Sequence, residues 1–443
     1  MNLRIFKKKD FRIINIVFLL IPINFLFTVS ISNIFCIIYL AITLYFLKKN
    51  NLKIKIDIID VLLLFFFLII TISSLKEISI GSEFAIKKLT FDILTKIVIL
   101  RFFLIYLLTK NILLYKLVRI DTFFRVSAYC AIFISINILL MHVIGNDLFG
   151  NKAFAGYRFS TIFGERAIAG TYLLNFFFFG LVYFYYVYKR NNLIKFFFII
   201  LVGFGILLSF DRAPFILFLV FYPLICLLNI KKDYKLIIIG ILILPIFYFL
   251  IIKYEGLFAR YSTLVHFEAK KLTELSTNKT NENNISQYTY ASIYKDSINT
   301  IFFEKTLFGS GKSSFYSRCR DYRLQTDIKS IIYGYVYACP KHTHHLYLEI
   351  LISGGILCFF IFLIVIIINL NLLTKNILQK KNSPYYTINS ILLTAFIVEV
   401  FPLRSYGEIF NSYNGLFFFF KISIIYGIIK FNLLRLNLKY KLI

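Results

Sequence analysis

Tryptophan is absent from the 443 residues, and acidic side chains are scarce, 22 against 50 lysines and arginines. Charged residues of either sign make up only 16% of the chain, while hydrophobic residues make up 59% at a mean hydropathy of +0.78. So little charge cannot coat a water-soluble globule of this length; an integral membrane protein is implied. The crowding of Phe, Ile, Leu, Tyr, Lys and Asn fits AT-rich codons as well as any physical demand, so no function follows from that skew.

Other absences narrow the chemistry. In "GSGKSS", Gly309 to Ser314, a phosphate-cradling nucleotide loop needs a first glycine five positions before Gly311, and Thr306 stands there. No acidic or cysteine cluster of ligand spacing accompanies His342, His344 and His345, so neither a metal nor a cofactor is expected. The N-terminal "MNLRIFKKKDFR" leads into an apolar run without a small-residue cleavage site; it reads as a retained first helix.

What the chain has is apolar length. Stretches able to cross about 30 Å of hydrocarbon fall near 13–30, 31–47, 58–75, 93–109, 122–144, 168–188, 193–210, 213–229, 234–252, 346–370, 385–403 and 412–430. With the N-terminus inside, every inward segment is cationic, from Lys7, Lys8 and Lys9 through Lys110, Arg119 and Lys189 to Arg435 and Lys439. That is positive-inside sorting, so the net charge of +28 reflects topology and no nucleic-acid partner is expected.

The expected fold is therefore all-α and membrane-integral: about twelve transmembrane helices, both termini cytoplasmic, and one large periplasmic loop between helices 9 and 10. Residues 1–252 hold the first nine helices, 253–345 the loop, and 346–443 the last three helices and a basic tail. The loop reads as a short helix, a polar tip "STNKTNENNISQ", an amphipathic helix from about Tyr288 to Lys305, and a glycine turn. Cys319 and Cys339 share it, either bridged in an oxidising compartment or as two thiols.

Charges at the edge of a bilayer core need a reason. Arg158, Glu165 and Arg166 lie in "YRFSTIFGER", Asp211 and Arg212 in "SFDRAP", Arg260 in "RYSTL", and Arg404 and Glu408 in "FPLRSYGE". Each arginine reads either as an interfacial anchor or as part of a planar donor array suited to phosphate or pyrophosphate. In "KHTHHLYLEILISGG", His344 reads either as a satisfied interfacial histidine or as a general base, with Glu349 five residues on. Ionisable groups gather at the outer edge, Lys421 in the last span being the exception, and that favours an enzyme over a lipid-linked sugar flippase.

The order of these pieces resembles the O-antigen polymerase and ligase superfamily: a short arginine turn (Arg212), a late outer loop, a glycine turn (Gly309, Gly311, Phe315), then His344, Leu348, Glu349 and Gly355. "STIFGERAIAGTYL" and "FPLRSYGEIFNSYNG" look more like the polymerase branch. The resemblance implies a glycosyltransferase of the bacterial inner membrane with its site facing the periplasm. Its substrates would be undecaprenyl-pyrophosphate-linked oligosaccharides within membrane lipid, and a chain-length regulator would be a protein partner. His344, Arg212 and Glu349 would be catalytic, and Arg158, Arg166, Arg260, Arg404, Gly309 and Gly311 would bind substrate or pyrophosphate. The sequence departs from the ligase-like pattern at "QYTYAS", where an arginine is common, and at His345, where Asn or Ser is common.

Overall fold

The structure, a computed structural model, describes residues 8–76, 93–153, 159–164, 168–188, 191–229, 245, 247–249, 251–253, 290–304, 307–326, 339–379, 385–405 and 407–430. Among them the regular elements are helices: α1 (Lys8–Leu19), α2 (Ile21–Asn24), α3 (Val29–Lys49), α4 (Ile58–Lys76), α5 (Leu100–Leu114), α6 (Ile120–Ile144), α7 (Ala169–Val187), α8 (Asn192–Leu208), α9 (Arg212–Leu228), α10 (Tyr290–Glu304), α11 (Phe315–Thr326), α12 (Leu346–Gln379), α13 (Tyr386–Glu399) and α14 (Ser412–Lys430). The chain is an all-α integral membrane protein. Seven of the described helices are long and apolar enough to cross a membrane, and four shorter apolar ones accompany them. The expected span 234–252 and the expected short helix after 253 fall largely or wholly outside the described residues.

Two helices, α7 and α14, are buried on nearly every side, as their all-round apolar sequences require. Around them the core is unusually aromatic: Phe176 meets Phe417 at 5.3 Å, and Phe67 meets Phe419 at 4.8 Å. Such edge-to-face pairs suit a bundle interior in lipid, where packing contributes more than water exclusion does.

The first hairpin turns earlier than its apolar run suggests. The apolar stretches 13–30 and 31–47 put the turn near residue 30; the structure ends α2 at Asn24 and starts α3 at Val29. Thr28 supplies the reason, since its hydroxyl accepts the Ile31 N–H and so caps α3.

α12 is broken. Gly355 lies at φ 73°, ψ −173°, where only glycine is comfortable, and the backbone groups this frees must be satisfied inside the protein. The glycine turn satisfies them. Ser310 N–H donates to Ile352 O (2.8 Å), Gly311 N–H to Ser353 O (2.9 Å), and Leu357 N–H to Leu307 O (3.2 Å). Gly309, at φ 69°, has backbone so close to Gly354 and Gly355 that an added Cβ would fall 2.4 Å from the Gly355 nitrogen. The end of α4 closes the other side: Ser73 donates to Phe308 O at 2.5 Å, and Ser74 Oγ accepts the Lys312 N–H at 2.7 Å.

Below the turn, Phe315, Ile352 and a Cys319–Cys339 disulfide form a small satellite core, joining α11 to α12. The bridge is thus made, with Cα atoms 6.0 Å apart. At the opposite end of the bundle Asp57 caps α4 and accepts from Lys110 (3.3 Å), Tyr426 (2.8 Å) and Lys430, while Asp60 pairs with Lys110.

Gly355→Ala is expected to lower stability by about 1–3 kcal/mol through its positive φ and lost turn contact. Size-exclusion recovery of tagged, detergent-solubilised protein after graded heating measures it; an unchanged midpoint would mean the break is not needed.

Candidate active site

The residues ahead of α12 form a tight turn. Thr343 donates its backbone N–H (3.3 Å) to Glu349 Oε2, and its hydroxyl lies 3.1 Å from the same carboxylate oxygen and 2.9 Å from His345 O. The buried Glu349, one helical turn in, therefore grips the residue before His344. It fixes the path of the turn through Thr343, a residue the sequence reading did not single out. His344 sits in the left-handed region at φ 53°, its ring centroid 4.0 Å from that of His342.

Burial keeps the histidines uncharged. It pushes the His344 pKa down to about 4, with His342 adding to the effect. His342 and His345 are also lowered by burial, His345 with a partial offset from the Pro402 carbonyl. The neutral imidazole is the protonation state that a general base requires at neutral pH.

The segment 400–411 lies against this turn. Ser405 bridges to His345, Tyr347 donates its hydroxyl to Val400 O (2.5 Å), and Ser313 in the glycine turn donates to Glu408. The segment is pinned from beneath by charge. Glu399, fully buried at the end of α13, pairs with Arg404 Nη1 (3.0 Å) and with Lys421 Nζ of α14 (2.5 Å). Asn175 of α7 accepts from both cations, at 3.4 and 3.3 Å, and Arg404 also donates to Val398 O at 3.2 Å. Lys421 rests 5.6 Å over Phe178. Arg404, expected to meet phosphate or sugar, is thus turned inward onto Glu399. Glu399 and Asn175 were passed over in the sequence; the signal available was an acid and a lysine each within an apolar run.

Arg212 opens α9, half-buried, directly after Asp211. The Asp211 carboxylate accepts the Gly170 N–H (2.8 Å) in the first turn of α7, a favourable place for an anion. Gly170 and Asn175 share that end of α7, and Asn175 touches Arg404, beside Ser405 and His345. Arg212 and His344 are therefore at the same end of the bundle. Arg158, Arg166 and Arg260 lie outside the described residues.

In the glycine turn, the N–H groups of Ser310, Gly311 and Lys312 all donate to protein acceptors. A nucleotide loop needs such amides for phosphate, so this turn is a helix wedge in its backbone.

The O-antigen ligase family model matches residues 196–363. The match supports placing the chain in the O-antigen polymerase and ligase superfamily, and an O-antigen ligase- or polymerase-type function in general. It covers Arg212, the glycine turn and the histidine turn; Glu399, Arg404 and Lys421 lie beyond it. No match to a curated protein was found.

Two outcomes are expected of this site. Lys421→Met should cost about 3 kcal/mol or more by leaving Glu399 with a single cation, whereas Glu399→Gln with Lys421→Met should recover part of the loss. A thermal double-mutant cycle that came out additive would mean the two groups do not interact. The histidines, lowered in the folded state from about 6.5 when unfolded, bind fewer protons folded than unfolded between those limits. Their contribution is present above pH 6.5 and lost as pH falls towards about 4. The melting midpoint should drop over that window, and less so in His342→Asn/His344→Asn.

Proposed function

We propose that this chain is a polysaccharide-repeat polymerase of the bacterial inner membrane, with both termini cytoplasmic and the histidine end facing the periplasm. One observation carries the reading: within the family-matched stretch, an uncharged histidine next to Thr343, which a buried carboxylate grips, stands at the same end of the bundle as Arg212. The donor is a glycan on undecaprenyl pyrophosphate, and the acceptor is a single lipid-linked repeat.

In this reading the acceptor's sugar hydroxyl attacks the donor's anomeric carbon. A new carbon–oxygen bond forms, the bond to the pyrophosphate oxygen breaks, and undecaprenyl pyrophosphate leaves with the bonding electrons. His344 takes the hydroxyl proton, Glu349 holds its turn through Thr343, and the Arg212 guanidinium meets the charge growing on the pyrophosphate. The donor is already activated, so no nucleotide enters.

The description of the matching family favours a second reading, ligation of the finished glycan to lipid A core by the same chemistry. The two differ in acceptor, and a glycan ladder separates them. Deleting the gene should leave core with one repeat if the chain polymerises, and bare core with long lipid-linked polymer if it ligates. Trapped, unpolymerised repeats on the cytoplasmic face would sink both.

Arg212→Ala should slow transfer about 100-fold or more, the effect of losing an electrostatic stabiliser worth about 3 kcal/mol. Arg212→Lys should recover little, because a lysine cannot give two parallel hydrogen bonds; full polymer length with lysine would argue against that geometry. With the His344 pKa near 4, the rate should hold from neutral pH down to about 5 and then fall.

A further inference from the structure

A second group of cations gathers around the glycine turn, away from the histidines. Lys312 is held by its backbone: its N–H donates to Ser74 Oγ (2.7 Å) and its carbonyl accepts from Lys96 Nζ (3.3 Å). Its own ammonium has no carboxylate within ion-pair distance among the described residues. Arg101, five residues beyond Lys96, donates to Asn33 Oδ1 of α3 at 3.1 Å and lies 5.0 Å over the Phe102 ring. Burial holds the Lys312 pKa below its ordinary range; Glu408 opposes this, and Arg101 and Lys96 add to it. Glu408, the one carboxylate in that balance, already accepts from Ser313.

These cations sit beside an apolar, outward-facing flank. The span Ile93–Leu114 exposes Leu94, Ile97, Val98 and Leu104, and α3 exposes Ile31, Ile34 and Ile38. Arg101 is one turn from both Val98 and Leu104, and its partner Asn33 adjoins Ile34 on α3. Clustered cations beside such a flank complement one kind of ligand: a phosphate carried on a long hydrocarbon tail.

We propose that Lys96, Arg101 and Lys312 form a second phosphate subsite, which seats a polyprenyl-pyrophosphate-linked acceptor with its tail along the exposed apolar flank of α3 and the span Ile93–Leu114. This rests on the polymerase reading, in which two lipid-linked substrates must be bound at once and one pyrophosphate occupies the Arg212 site. The subsite faces the reaction through Ser313 and Glu408, since the segment carrying Glu408 also carries Ser405 against His345.

The test uses the full chain in phosphatidylcholine nanodiscs, titrated with undecaprenyl pyrophosphate and read by native mass spectrometry. Wild type should bind two equivalents. Lys96→Gln/Lys312→Gln should weaken one of them by about tenfold or more, the scale of losing charge-assisted hydrogen bonds. Lys312→Arg should keep both and so separate charge from misfolding, and Arg212→Ala should weaken the other equivalent. A single equivalent that Arg212→Ala removes and the lysine changes leave untouched would overturn the second subsite but not the polymerase. Displacement of the lysine-dependent equivalent by inorganic pyrophosphate alone, or by phosphatidylglycerol at equal concentration, would also overturn it, marking a free-anion or general lipid site. No bound equivalent in any variant would overturn both.

Discussion

A helix that breaks inside a membrane must find partners for the backbone groups it releases, because lipid offers none. α12 breaks at Gly355, and its partners come from the glycine turn at Leu307, Ser310 and Gly311. That exchange fixes much else. It brings α11 and the disulfide under the turn, it draws the end of α4 in through Ser73 and Ser74, and it sets the level at which the histidine turn enters α12. Both strands of the exchange need glycine, since any side chain at Gly309 or Gly355 would collide with the opposite backbone.

The two ends of the bundle handle charge differently. At the Asp57 end, two carboxylates are matched by Lys110 and Lys430, an arrangement that holds α4, α5 and α14 together. At the histidine end, Glu399 is saturated by Arg404 and Lys421, and its work is to tie the segment 400–411 to α7 and α14. Removing one member of such a buried set strands the others, so its worth lies in the position it enforces more than in the energy it adds. Here the position enforced is that of Ser405 against His345.

Much of the fold was legible in the sequence because lipid imposes simple signals. Apolar runs marked the helices, and the amphipathic stretch expected at Tyr288–Lys305 is seen at Tyr290–Glu304. The misplacements have local causes. Thr28 ended an apolar run that looked continuous, and α11, "FYSRCRDYRLQT", has no apolar stripe to announce it; it is a helix because Phe315 and Cys319 anchor it to Ile352. Within the site, the sequence spacing set Glu349 five residues after His344, but the grip of Glu349 on Thr343 could not be read from it. Arg404 looked like an outward arginine because Glu399, inside an apolar run, went unread as its partner, and Lys421, 22 residues from that acid, meets it only once α13 and α14 pack.

The half nucleotide motif shows how a shared pattern of residues can serve different ends. A phosphate-cradling loop leaves its amides pointing at the ligand, with the lysine adding charge. In this chain the amides of Ser310, Gly311 and Lys312 are committed to Ile352, Ser353 and Ser74. Any anion recognition proposed near the turn must therefore fall to side chains. Side chains, unlike amides, can be distributed over helices that the turn merely holds in register: Lys312 on the turn, Lys96 and Arg101 along the span Ile93–Leu114, and Arg212 at the start of α9. Under the proposed reading, a chain that grips phosphate groups on lipid carriers entering sideways from the bilayer gains more from cations spread along its flank than from one closed backbone nest.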